Sequence, residues 1–202
     1  MYRICFKRAL DVVLSFFGIV FLLLPMLLIA VAIAVSDPGP VIFKQKRVGK
    51  GKKLFTLYKF RSMKVNVPDV PTHLLEDPYR YITRVGAFLR RTSLDELPQL
   101  FNILFGQMSF VGPRPALWNQ EDLIAQRDLY KANDVYPGLT GWAQVNGRDE
   151  LSILEKARLD GVYTKVLLGG SFKGFLMDCK CFFATFCRVL SAKGVVEGRI
   201  DK

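Results

Sequence analysis

From Val12 to Val35 the chain runs 24 residues without a charge, VVLSFFGIVFLLLPMLLIAVAIAV. As one helix this stretch would extend roughly 36 Å, enough to span the hydrocarbon core of a bilayer. Pro25 interrupts it near the middle. A proline inside a helix removes one backbone hydrogen bond and clashes with the preceding turn, so a kink is expected there. Two halves of roughly 10 to 13 residues result, each too short to cross alone.

The flanks bear on how such a segment meets a membrane. Arg3, Lys7 and Arg8 precede it, and Lys44, Lys46, Arg47, Lys50, Lys52 and Lys53 follow. Basic residues on both sides favour placing both flanks in the cytoplasm, which a re-entrant hairpin achieves and a kinked single span does not. Both arrangements remain open on charge. The apolar run is too long for a cleaved signal peptide.

Beyond this segment, 202 residues suffice for one domain with a real core. Half the residues are hydrophobic, high for a soluble chain. Lys and Arg total 29 against 18 Asp and Glu, and the net charge of +11 calls for an anionic partner: phosphate-rich substrate, acidic lipid or nucleic acid. Cys5, Cys179, Cys181 and Cys187 have no zinc spacing and read as reduced, packed thiols.

After the turn DPGP at Asp37–Pro40, VIFKQKR and LFTLYKFRSM flank VGKGKK and predict a β-hairpin or a pair of extended strands. Lys64–Tyr81, with three prolines and the lone His73, reads as a surface loop with a solvated histidine. Short amphipathic helices are predicted over Arg84–Arg91, Leu97–Leu104, Leu117–Lys131 and Ser152–Tyr163. YPGLTGWAQVNGR, Tyr136–Arg148, is too punctuated by glycine to be one element. The last segment, SFKGFLMDCKCFFATFCRVLSAKG, mixes Phe172, Phe175, Phe182, Phe183 and Phe186 with Lys173, Lys180 and Arg188. It suits either the membrane interface or a core-packing helix.

The stretch SLDELPQLFN, Ser93–Asn102, carries two adjacent carboxylates. S-x-x-E matches a capping box with Ser93 as N-cap. Pro98 favours a second register, with Asp95 as N-cap and the proline in the first turn, where its missing N–H costs nothing. A carboxylate at the positive end of a helix stays ionised and can attack phosphorus or bind a hard cation. Lys59, Arg61, Arg114 and Arg148 stand isolated beside glycine, proline or aromatics, a better setting for phosphate contacts than a charge run. Asp160 is a further carboxylate, a candidate metal ligand or arginine partner. No Walker loop, GxGxxG, H-E-x-x-H or Ser-His-Asp set is present. Carboxylates, cations and a membrane together suit phosphoryl transfer to a membrane-bound acceptor, with Mg²⁺ shielding charge.

Five motifs in one order, KRALD (Lys7–Asp11), KFRSM (Lys59–Met63), LRRTSLDELPQLFNIL (Leu89–Leu104), GQMSFVGPRP (Gly106–Pro115) and PGLTGWAQVNGR (Pro137–Arg148), resemble the bacterial sugar transferases. The likeness is to the small, PglC-like monotopic phosphoglycosyl transferases, and it runs from about Phe6 to Val195. It implies transfer of a sugar 1-phosphate from a UDP-sugar to undecaprenyl phosphate, with release of UMP and a need for Mg²⁺, as the first membrane step of bacterial glycoconjugate synthesis. It implies Asp95 as the nucleophile forming a covalent phosphosugar and Glu96 as its partner, the two also holding Mg²⁺. It implies that Lys59, Arg114 and Arg148 hold phosphate or the uridine nucleotide and that Asp160 matches a functionally important aspartate of the family; Arg61 and Asp160 join them as candidate substrate-binding residues.

The implied fold is α+β and mostly helical: a re-entrant membrane helix over residues 1–36 broken at Pro25, then a membrane-associated catalytic domain over 37–202 with interfacial amphipathic helices and a small β-hairpin. The implied location is the cytoplasmic face of the bacterial inner membrane, with no nucleic-acid partner and no large preceding membrane domain. The likeness departs at Leu24-Pro25, where the family has Ser-Pro, and at DGVYTKV from Asp160, where a DVYY-like run is usual. Two rival readings are a metal-dependent hydrolase of UDP-sugars or lipid pyrophosphates and a membrane-tethered basic module for nucleic acid or acidic lipid. The second expects clustered basic residues, and only KQKRVGKGKK is clustered.

Overall fold

The computed structural model describes residues 2, 6–65, 67, 80–147 and 150–191. Most of the expected loop between Lys64 and Tyr81, with His73, lies outside the described residues, as do Cys5 and Arg148. The described part is mostly helical, with a small β-hairpin and one long apolar helix near the N-terminus.

That helix, α1, spans Lys7–Ser36 and continues through Pro25 without interruption. It is long and apolar enough to cross a membrane. One stripe, Lys7, Asp11, Ser15, Met26 and Ile33, is buried against the rest of the chain. These positions recur at helical spacing, so a single face of α1 looks inward along the helix. The first half of the stripe is polar, and each group finds a partner: Lys7 donates to Asp178 at 2.7 Å, Asp11 accepts from the Phe110 amide at 3.0 Å, and Ser15 donates to the Val12 carbonyl at 3.0 Å. The second half is apolar; Met26 and Ile33 pack with Phe60 and Leu89. The outward face is bare hydrocarbon, with Phe16, Phe17, Val20, Phe21, Leu24, Leu28 and Val35 all exposed.

Strands β1 (Ile42–Val48) and β2 (Leu54–Phe60) form the expected antiparallel hairpin, with Phe43 opposite Lys59, Gln45 opposite Leu57 and Arg47 opposite Phe55. The turn between them places Gly51 at φ 62°, in the left-handed region that glycine tolerates. Helix α2 (Arg84–Thr92) is capped by the Thr83 side chain, which accepts from the Gly86 amide at 2.9 Å. Gly86 lies so close to the Ser62 carbonyl that a Cβ there would overlap it, which lets α2 press against the chain leaving β2.

Helix α3 (Gln99–Leu104) leads into β3 (Ser109–Val111), which pairs in parallel with β4 (Gly138–Thr140). Between them α4 covers Glu121–Asp128, shorter than the sequence pattern predicts. Its first residues are lost to a turn because Leu117 bridges to Arg47 of β1 instead. Helix α5 (Trp142–Val145) is one turn. Helix α6 (Ile153–Gly169) begins at Ser152 with a full capping box to Glu155, and α7 (Ser171–Ser191) follows. Buried Leu57, Leu100, Ile103 and Met108 fill the space between α1, β2 and α3, while Val111, Tyr163, Leu167 and Cys181 join β3 to α6 and α7.

Candidate active site

Ser93 ends α2 in a left-handed conformation, φ 57°, its amide donating back to the Arg90 and Leu89 carbonyls. The next three residues, Leu94–Glu96, form a single tight 3₁₀ turn, and Leu97 and Pro98 continue helically into α3. Neither expected capping register is realised: Ser93 makes no side-chain cap, and Asp95 sits within the turn rather than at its start. The left-handed kink at Ser93 ends the line of α2, and a 3₁₀ turn follows in place of a regular helix. It turns both carboxylates toward the hairpin.

Two segments converge on them. Lys59 of β2 donates to Glu96 Oε1 at 2.7 Å, and Arg114 of the GPRP turn donates to the same oxygen at 2.7 Å. Asp95 Oδ2 lies 3.9 Å from Lys59 Nζ, beyond hydrogen-bond range, and among the described residues its carboxylate accepts no hydrogen bond. Asp95 is buried, and Glu96 is largely so. Lys59 is held in place by Asn102, fully buried on α3. Asn102 accepts from the Tyr58 amide at 3.1 Å and donates to the Thr56 carbonyl at 2.7 Å, fastening β2 to the helix that follows the carboxylates.

The two adjacent acids are therefore unequal. Burial pushes Glu96 up, but the Arg114 and Lys59 charges outweigh it and hold Glu96 well below the usual carboxylate range. Burial raises Asp95; Lys59 opposes this, and the neighbouring Glu96 charge adds to it, for a net upward shift. Burial also lowers the Lys59 ammonium, with Glu96 acting against it. Glu96 is a fixed anion held by two cations, and Asp95 is a carboxylate whose lone pairs no described residue claims.

The other expected residues lie elsewhere. Arg61 is buried and directed at the C-terminal end of α1: its Nη2 donates to the Asp37 carbonyl and faces the Asp37 carboxylate at 3.4 Å. Asp160, fully buried on α6, accepts from Arg127 Nε and Nη2 at 2.8 and 2.6 Å, tying α6 to α4. Arg148 is outside the described residues. The structure thus brings Asp95, Glu96, Lys59 and Arg114 together, and sets Arg61 and Asp160 in separate ion pairs.

Arg47 belongs near this cluster and was hidden in the basic run KQKRVGKGKK. Strand parity was the available signal: in the hairpin register Gln45 and Arg47 share a face with Lys59. A divalent ion such as Mg²⁺ characteristically takes one or two carboxylates and completes its shell with water and substrate phosphate oxygens. Asp95 and Glu96 fit that pattern as adjacent hard oxygen donors, one with open lone pairs. Among the described residues no group of three His, Cys, Asp or Glu side chains assembles to hold a metal without substrate.

The arrangement is that of a carboxylate–cation site suited to phosphate chemistry, and residues 2–192 match the family model for bacterial sugar transferases. The chain belongs to that family. It is similar to the UDP-glucose:undecaprenyl-phosphate glucose-1-phosphate transferase of Escherichia coli (strain K12), 50% identical over 155 residues, which are 74% of this chain and 33% of the relative. It is 37% identical over 191 residues to the "uncharacterized sugar transferase EpsL" of Bacillus subtilis (strain 168), covering 95% of this chain and 90% of that one. A UDP-N-acetylgalactosamine-undecaprenyl-phosphate N-acetylgalactosaminephosphotransferase of Aeromonas hydrophila is 42% identical over 145 residues, 69% of this chain and 33% of the relative. The chain thus spans about a third of the length of the first and third of these relatives.

Proposed function

We propose that the protein is a UDP-sugar:undecaprenyl-phosphate sugar-1-phosphate transferase that works through a covalent phosphosugar on Asp95. The observation that carries this reading is the inequality of the two acids. Glu96 is locked by Lys59 and Arg114 at 2.7 Å each, and Asp95 is buried beside it with no hydrogen bond from the described residues. A nucleophile needs unclaimed lone pairs, and a neighbour held by two cations orients it without competing.

In this reading an Asp95 oxygen attacks the phosphorus that bears the sugar. The bond from that phosphorus to the oxygen of UMP breaks, and UMP departs with the electron pair. Arg114 and Lys59 stabilise the phosphate charge as it shifts to the leaving group. An oxygen of undecaprenyl phosphate then attacks the same phosphorus, the bond to Asp95 breaks, and the carboxylate is regenerated. Mg²⁺, held by Asp95, Glu96 and phosphate oxygens, would shield the charges that must approach one another. The two-step course allows a water-soluble donor and a lipid acceptor to use one site in turn.

The membrane arrangement supports such a site. The exposed hydrocarbon face of α1 belongs in lipid, and both ends of α1 are tied to one body: Lys7 to Asp178, and Asp37 to Arg61. Flanks fastened to the same domain favour a helix that enters and leaves on one side, the cytoplasmic face of the inner membrane, with Pro25 as the point of bending. Exposed Phe172, Leu176, Phe182, Phe183 and Phe186 of α7 suit the interfacial zone beside it.

The test is release of UMP from a panel that includes UDP-glucose and UDP-N-acetylgalactosamine, with and without undecaprenyl phosphate, joined to mass spectrometry of the quenched enzyme. Acceptor-dependent UMP release and a phosphosugar adduct on the peptide holding Asp95 are expected. Free sugar phosphate formed equally well without the lipid, or near-normal turnover by Asp95→Asn, sinks the reading. Sidedness is read by membrane-impermeant maleimide on cysteines placed at Phe6 and at Ser36. Labelling from opposite faces would exclude the hairpin.

A further inference from the structure

Arg114 owes its place to a neighbour outside the sequence motifs. The backbone from Ala116 to Leu117 is stitched to the end of β1: the Val48 amide donates to the Ala116 carbonyl at 2.9 Å, and Leu117 bridges to Arg47. The Arg47 side chain then reaches the residue next to Arg114. Its Nη1 donates to the Pro115 carbonyl at 2.9 Å, while Nε and Nη2 close as a fork on Gln45 Oε1 at 3.0 and 2.6 Å. Gln45 and Arg47 share one face of the hairpin, so the amide braces the guanidinium from the same strand.

This is a costly way to hold a carbonyl. Among the described residues Arg47 has no ion-pairing carboxylate within 4.0 Å, and its charge lies beside that of Arg114. Burial, then the Arg114 charge, pushes the Arg47 guanidinium down to about 10, with Glu96 acting the other way. Arg47, Lys59 and Arg114 thus gather around Asp95 and Glu96. A chain that needed only the turn would satisfy the Pro115 carbonyl with water or an amide. A rigid planar fork bridging two acceptors fixes direction as well as distance.

We propose that Arg47, braced by Gln45, is a positioning residue that aims Arg114 at Glu96 and at the phosphate of the donor. The proposal rests on the transferase reading for its activity assay. The geometry it describes can also be read without turnover.

The experiment is a double-variant cycle on Arg47→Met and Arg114→Ala in the full chain. It is read twice: as kcat/KM for the UDP-sugar and as affinity for inorganic pyrophosphate by calorimetry. Arg47→Met should lower kcat/KM by roughly 10- to 100-fold, as loss of a positioning group does. Arg47→Lys should not rescue it, because a single nitrogen cannot stand both where Nη1 meets Pro115 and where Nε and Nη2 meet Gln45. Gln45→Met leaves every charge in place and should give a smaller loss, guarding against a misfolded Arg47 variant. The double variant should be no worse than Arg114→Ala alone in either readout, since Arg47 acts through Arg114. Additive losses, full rescue by lysine, or wild-type values for Arg47→Met overturn the proposal. Absence of UMP release by the wild-type protein from every UDP-sugar overturns the transferase reading instead, and the pyrophosphate cycle still decides the Arg47–Arg114 relation.

Discussion

Lys7 donates to Asp178 at 2.7 Å, joining the first turn of α1 to the middle of α7 across 171 positions of sequence. Both side chains are nine-tenths buried. The phenols of Tyr2 and Tyr163 donate to the same carboxylate at 2.7 and 2.8 Å, so Asp178 gathers three donors. Burial, then the Asp178 charge, raises the Tyr163 phenol well above its usual value, which keeps it a donor. Removing one side of a buried pair strands the other charge, at a cost on the order of 3–5 kcal/mol. Lys7→Met should therefore lower the melting temperature sharply in detergent, and Lys7→Met with Asp178→Leu should recover part of the loss. A double variant worse than either single one would contradict the pairing.

The two acids of the site should separate under substitution. Asp95→Asn removes a charge that burial and Glu96 both disfavour, so the fold should keep or slightly gain stability while transfer is lost. Glu96→Gln leaves Lys59 and Arg114 without their shared anion, so stability and activity should both fall. Paired melting curves and UMP-release assays check this. Equal destabilisation by the two changes would remove the distinction drawn between them.

Ser93 holds φ at 57°, where a side chain costs roughly 1 kcal/mol or more that glycine does not incur. Its hydroxyl makes no cap. Ser93→Gly should raise the melting temperature by a degree or two, after allowance for the greater freedom of glycine in the unfolded chain. A marked fall would mean that the hydroxyl does more than fill space.

The capping box at the start of α6 gives a pH signature. The Ser152 hydroxyl and amide both donate to Glu155 and hold its carboxyl below the usual range. The folded value is depressed, so the stabilisation is present above the ordinary glutamate pKa of about 4.5 and is lost as pH falls through the lowered one. The difference in melting temperature between the wild type and Glu155→Ala should shrink between pH 7 and pH 3. A constant difference would show that packing, rather than ionisation, accounts for the cap.

Much of this could be read from the residues. The β-rich runs and the glycine-containing turn foretold the hairpin, whereas Pro98 argued against a cap at Ser93 but pointed to Asp95, and neither register formed. Periodicity said nothing of the left-handed residue that replaced a cap with a tight turn, since serine rarely adopts it. The pairing of β3 with β4 was hidden because strands of three residues carry too little pattern. Arg61 looked like a free phosphate-binding group, and Asp160 was open between metal ligand and arginine partner, because their partners, Asp37 and Arg127, lie 24 and 33 positions away. Arg47 was lost in a run of lysines that composition reads as solvated.

The inward stripe of α1 has a practical consequence. Met26 and Ile33 complete the packing around Phe60 and Leu89, and Leu22 and Ile19 reach the layer holding Leu57 and Ile103. The segment that looks like a detachable tether is thus one wall of the domain it tethers. Trimming the chain at Asp37 to obtain a soluble fragment would open that wall and yield an aggregating remnant, so purification and crystallisation must carry the greasy helix along.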